Sequence, residues 1–110
     1  MYDLESRTTT LGQNIVAFVK KLPRNQITDS LLIQLIRAGT SIGANYCEAD
    51  GAMTKADFKN KITICRKEAK ETRYWLRVVC STYPGLENKT DLLIQEVREL
   101  IFIFSAILKK

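Results

Sequence analysis

The stretch TKADFKNKITICRKEAKETRYWLRVVCSTYPG, Thr54–Gly85, decides the fold. Phe58, Ile62, Cys65, Ala69, Thr72, Leu76, Val79 and Tyr83 follow one another at steps of four and three. That rhythm draws a single apolar stripe along an α-helix and fits no alternating strand. Thr54 with Asp57 three residues on reads as an N-cap followed by an acid in the first turn. Pro84-Gly85 ends the pattern.

The same periods recur outward from this segment. Leu4, Thr8, Leu11, Ile15, Phe18 and Leu22 make a first helix, with Asp3 as its N-cap and Pro23 as its end. A second helix is expected from near Thr28, with Leu31, Leu35, Ile42, Tyr46 and Ala49 on one face and Gly51 as its stop. The last begins near Asn88 or Thr90 and carries Leu93, Val97, Leu100, Phe104 and Ile107. Four long helices with short connections predict an all-α, up-down-up-down antiparallel four-helix bundle, a single domain over residues 1–110. A chain of 110 residues buries roughly two-thirds of its unfolded surface without cross-links.

Composition removes several chemistries. Histidine is absent, and with it the commonest general base, the commonest metal ligand and the Glu-x-x-His di-iron pattern of some bundles. Cys47, Cys65 and Cys80 form no Cys-x-x-Cys pair and read as reduced thiols. The N-terminus lacks a basic segment followed by an apolar run, and the longest apolar run, Leu100–Leu108, is too short to span a bilayer. The expectation is a cytoplasmic protein with no membrane contact, no metal and no cofactor. No paired carboxylates or nucleophile–base arrangement suggests catalysis, so no enzyme activity is expected.

Within the second helix, RAGTSIGANYCEAD (Arg37–Asp50) is rich in small residues. It lacks the spacing and preceding strand of a phosphate loop, so close helix packing is the better reading. Gly39, Gly43 and Cys47 fall one turn apart, and Gly12 is a candidate facing partner. Arg37, Ser41, Asn45 and Glu48 recur within about 80° of arc. That row is either a solvated face or a hydrogen-bonded network at a helix or subunit junction, with Arg37 pairing a carboxylate.

The net charge of +5 has one source. Residues 51–83 hold eight basic and three acidic side chains, whereas the flanking segments balance. Lys55, Lys59, Arg66, Lys70, Arg73 and Arg77 fall within about 60° of arc on the third helix, opposite Asp57, Glu68 and Glu71. Three readings stay open: the stripe contacts nucleic-acid phosphates, it meets the acidic flank of a neighbouring copy, or it is a solvated face. No base-reading motif accompanies it, so nucleic-acid binding would be weakly sequence-specific. Ile64 and Trp75 on the third helix, with Phe102 and Ile103 on the fourth, lie outside the main seams. Together with Arg37 and Glu48 they are candidates for an oligomer interface.

LIRAGTSIGANYCEAD followed by TKADFKNKITICRKEAKETRYWLRVV resembles the bacterial four-helix-bundle proteins encoded in 23S ribosomal RNA intervening sequences. The resemblance extends, through helix spacing, over nearly the whole chain. One departure is the absence of the family's usual Gly after the Glu of the second helix, since Glu48 precedes Ala49-Asp50-Gly51. The resemblance implies a cytosolic homopentamer and kinship with accessory proteins of diversity-generating retroelements, whose basic surface engages RNA and a reverse transcriptase. It carries over no catalytic residue. The leading expectation is therefore a non-enzymatic oligomeric bundle that binds RNA or DNA, with structured RNA favoured, through the basic stripe. The alternative is a protein-interaction scaffold ring, docking a reverse transcriptase or another protein, with its charged flanks used between subunits.

Overall fold

The structure, a computed structural model, describes residues 3–110, which form four helices. These are α1 (Leu4–Lys20), α2 (Gln26–Asp50), α3 (Lys55–Thr82) and α4 (Glu87–Leu108), and no strand occurs among the described residues. The Asp3 carboxylate accepts from the Ser6 N–H at 3.1 Å and the Thr54 hydroxyl from the Asp57 N–H at 3.0 Å, the two caps expected. The start of α2 lies earlier than Thr28. Asn25 accepts from the N–H groups of Ile27 and Thr28 at 2.9 and 3.0 Å, and its own N–H donates to the Thr28 hydroxyl at 3.0 Å. This reciprocal cap uses threonine where glutamate or glutamine is usual, which hides it from the sequence pattern. Gly51 closes α2 with φ −93°, outside the left-handed region, by donating to the Cys47 carbonyl at 3.3 Å. α4 also starts early, at Glu87, two residues after Gly85 turns the chain at φ +82°.

Each helix packs against its sequence neighbour in the opposite direction. Arg37 meets Glu68 and Glu71 while the later Glu48 meets the earlier Lys61, so α2 and α3 are antiparallel. Gly12 lies under Gly39 and Thr40, and Gly43 lies over Thr8, which sets the same relation for α1 and α2. Arg66 reaches Ser105 near the end of α4, and Arg7 near the start of α1 clasps Glu96 and Glu99. The chain is an antiparallel four-helix bundle.

The core is one continuous seam through Leu11, Ile15, Leu32, Leu35, Ile42, Ile62, Cys65, Leu76, Val97, Leu100 and Phe104, each 1% exposed or less. Thr8 and Thr72 sit in it without an unsatisfied hydroxyl, because each donates to a carbonyl of its own helix at 2.7 Å. Two positions differ from expectation. The α2 seam runs through Leu32, 1% exposed, while Leu31 sits half-buried at its edge. Ile103 is 6% exposed and belongs to the core, so it adds nothing to an external surface. α4 faces both α1 and α3, and its buried arc is wide enough to take Leu100, Ile103 and Phe104 together.

The small residues of α2 bring two backbones together. A Cβ on Gly39 would stand 2.5 Å from Ile15 Cδ1, and one on Gly43 would stand 3.3 Å from the Thr8 hydroxyl. Neither distance leaves room for a side chain without displacement, so the glycines are a packing device that offsets their cost in helix propensity.

Candidate nucleic-acid interface

α3 is a 28-residue helix whose apolar seam fixes the direction of every other side chain on it. With Ile62, Cys65, Ala69 and Leu76 buried, its two flanks turn toward α2 on one side and α4 on the other. Arg37 marks the α2 side by reaching Glu68 and Glu71, and Arg66 marks the α4 side through the Ser105 hydroxyl at 3.4 Å.

The basic stripe occupies the α4 side. Lys55, Lys70 and Arg77 are exposed, and Lys59, Arg66 and Arg73 are half-buried. Their aliphatic stems cover the bundle while the charged ends stay wet. Among the described residues none of the six takes part in an ion pair. Arg77 also lines a shallow cleft of about 450 Å³ with Glu87, Thr90, Asp91 and Arg98 of α4.

The opposite flank is charge-matched. The Arg37 guanidinium contacts Glu68 at 3.3 Å and also Glu71, and the Trp75 indole N–H donates to Glu71 at 3.2 Å. The hydrogen bond to Glu71 raises the Arg37 pKa further, against the opposing effect of burial. Burial pushes the Glu71 carboxyl up, but hydrogen bonds from Arg37 and Trp75 outweigh it and hold the group below its ordinary value. The row Arg37, Ser41, Asn45 and Glu48 is bonded within the chain. Ser41 donates to the Arg37 carbonyl at 2.6 Å, Asn45 to the Ser41 carbonyl at 2.8 Å, and Lys61 to Glu48 at 2.5 Å.

Of the remaining surface candidates, Trp75 is half-buried against that network and Ile64 is half-buried beside Met53 and Lys61. Phe102 is 66% exposed. Sequence reasoning passed over Tyr74, 58% exposed, and the exposed Lys67, both on the same helix. Tyr74 lies four residues after Lys70 and three before Arg77, a neighbourhood that a scan of charges alone overlooks.

Cys65 is fully buried, and burial pushes its thiol up to about 12, far from any nucleophilic range. Among the described residues no cluster of three or more His, Cys, Asp or Glu side chains is placed to hold a metal ion. Among the described residues no helix is long and apolar enough to cross a membrane.

Comparison with known proteins agrees with the helical architecture. No curated protein matches the chain. A solved structure with the same fold is the 1.70 Å crystal structure of a protein of unknown function from the S23 ribosomal protein family of Bacteroides thetaiotaomicron VPI-5482. It superposes with a TM-score of 0.88 at 33% sequence identity, covering 97% of this chain and 99% of that one. The family model for 23S rRNA-intervening sequence proteins matches residues 3–106, a span holding α1 to α3 and nearly all of α4. This chain therefore belongs to the 23S rRNA-intervening sequence protein family.

Proposed function

We propose that the protein is a non-enzymatic, cytoplasmic helical bundle that assembles with copies of itself, five by analogy with its family resemblance, and binds structured RNA through the α3 stripe. The observation that carries this reading is the contrast between the two flanks of α3. Glu68 and Glu71 are taken up by Arg37 of the same chain, whereas among the described residues Lys55, Lys59, Arg66, Lys70, Arg73 and Arg77 form no ion pair. A row of like charges weakens a helix slightly, so it is not explained by helix stability. The pairing of Glu68 and Glu71 within the chain leaves Asp57 as the one acid of that flank open to a neighbouring copy's stripe, which favours phosphate over intersubunit pairing. Any RNA surface of this kind reads backbone and shape, with weak sequence preference.

Fluorescence anisotropy with labelled RNA at several salt concentrations tests the proposal, on protein of known oligomeric mass. Six phosphate contacts per chain correspond to a log Kd against log salt slope of about 4–5. Lys70→Glu/Arg73→Glu/Arg77→Glu is expected to abolish that binding at unchanged mass. Retained binding in this variant defeats the proposal. Absence of any binding at low salt supports the scaffold, in which the bundle docks another protein such as a reverse transcriptase.

A further inference from the structure

Tyr74 stands among cations. Lys70 is one turn before it, Arg77 one turn after, and Lys67 two turns before on the same side of α3. The ring is 58% exposed, yet it is not loose. It meets Trp75 in a T-shaped contact, ring centroids 4.9 Å apart and planes at 75°. Whichever ring presents its edge, at least one face of the phenol stays uncovered. Trp75 is anchored in turn by its indole N–H on Glu71 at 3.2 Å, and Glu71 is held by Arg37 of α2. A relay of side chains from a second helix thus supports one exposed aromatic ring at the outer edge of the cationic stripe, between it and Lys67.

We propose that Tyr74 is a stacking platform for an unpaired RNA base, with Lys67, Lys70 and Arg77 holding the flanking phosphates. The inference rests on the RNA-binding reading above and narrows its ligand to RNA with single-stranded segments, since a base inside a duplex has both faces covered by the neighbouring pairs. Lys70 and Arg77 are separated by about 10 Å along the helix, with Tyr74 between them, so both long side chains reach either side of a base seated on the ring. Every base has a π-face, and stacking on an aromatic ring beside cations is tolerant of sequence.

Wild-type protein, Tyr74→Ala and Tyr74→Phe are to be compared for binding a short labelled oligoadenosine strand and a blunt, fully paired RNA duplex. Tyr74→Ala is expected to weaken oligoadenosine binding roughly 5- to 100-fold, with Tyr74→Phe near wild type and duplex affinity unchanged. The chain has one tryptophan, Trp75, adjacent to the platform. Its emission is expected to change with oligoadenosine and not with duplex, in wild type and Tyr74→Phe alike. Equal oligoadenosine affinity in wild type and Tyr74→Ala, with binding still lost in the Lys70/Arg73/Arg77→Glu variant, overturns the stacking platform and leaves RNA binding standing. Equal losses for strand and duplex, or a changed oligomeric mass in Tyr74→Ala, also overturn it. Wild-type protein that binds neither RNA at low salt overturns both proposals.

Discussion

Gly39→Ala measures how closely α1 and α2 are drawn together. Taken as a helix substitution alone, it gains about 1 kcal/mol from propensity. The added Cβ, however, would stand 2.5 Å from Ile15 Cδ1 and 3.2 Å from Ile15 Cγ2. Ile15 is fully buried, so a χ2 turn that withdraws Cδ1 has little room, and its branched Cβ stiffens χ1 and keeps Cγ2 in contact. Overpacking of this kind costs about 1–3 kcal/mol. The balance is a net loss of about 1 kcal/mol, or a fall in Tm of about 4–8 °C. Gly12→Ala on the facing helix is the control. Its Cβ would meet nothing nearer than 3.7 Å, so it keeps most of the propensity gain and should raise Tm. Ile15→Val removes the clashing Cδ1 and alone costs about 0.5–1.5 kcal/mol. Combined with Gly39→Ala it should restore most of the stability, a coupling of about 1–2 kcal/mol, the remaining Cγ2 contact keeping the relief partial. Thermal and urea melts by circular dichroism, at one protein concentration because assembly shifts Tm, supply all four corners of the cycle. A Gly39→Ala protein as stable as Gly12→Ala, or additivity within about 0.5 kcal/mol, would refute the close-packing argument.

Arg37→Met should destabilise the fold by about 1–2 kcal/mol, because Glu68 is only 8% exposed and loses its guanidinium, the cost being reduced by the 44% exposure of the Arg37 side chain. The same variant reports on pH. The lowered folded pKa of Glu71 makes the unfolded chain take up the proton first, so its contribution is full above about pH 4.3 and disappears as pH falls through the folded value. Arg37→Met should flatten the stability profile below about pH 4.3, and superimposable wild-type and variant profiles would rule out the pair as its source. Ile103→Ala should cost about 2–4 kcal/mol and Phe102→Ser almost nothing in monomer stability, since Ile103 is 6% and Phe102 66% exposed. Urea melts that reverse this order would return Ile103 to the surface.

The features legible in the sequence are those carried by local spacing. The α3 seam, its Thr54 cap and the Pro84-Gly85 stop all lie within one stretch, and the structure buries Ile62, Cys65, Ala69, Thr72, Leu76 and Val79 of that seam, with Phe58 and Tyr83 half-buried at its ends. Leu31-Leu32-Ile33 is apolar throughout, so its composition does not say which residue turns inward, and only the packing of the bundle selects Leu32. Ile103 was obscured in the same way by the run Leu100–Phe104, whose buried arc depends on two neighbouring helices. Positions on the α3 stripe follow from its period, but their pairing does not. Arg37 reaches Glu68 and Glu71 across 31 and 34 residues, a relation that only helix packing creates. Tyr74 lies just beyond the arc of the cations, so a charge pattern does not single it out.

Where the charges are spent matters more than their total. Among the described residues Arg7 holds Glu96 and Glu99, Arg37 holds Glu68 and Glu71, Arg24 holds Asp29 and Lys61 holds Glu48. Four of the 17 cations thus occupy half of the 12 acids, so the cations left over exceed the remaining acids by more than the net +5 suggests in proportion. Two of these cations each bridge two carboxylates and sit at helix junctions, α1 with α4 and α2 with α3. The bundle therefore uses five of its acids to join helices and, among the described residues, leaves the stripe on the α4 side of α3 without an ion pair, Glu87 and Asp91 only sharing the cleft that Arg77 lines. At physiological ionic strength screening acts over about 8 Å, so a phosphate senses this local row far more than the charge of the whole chain. A protein with the same net charge and its cations dispersed would lack that field, which is why the position of the stripe, not the basic pI, supports an RNA surface.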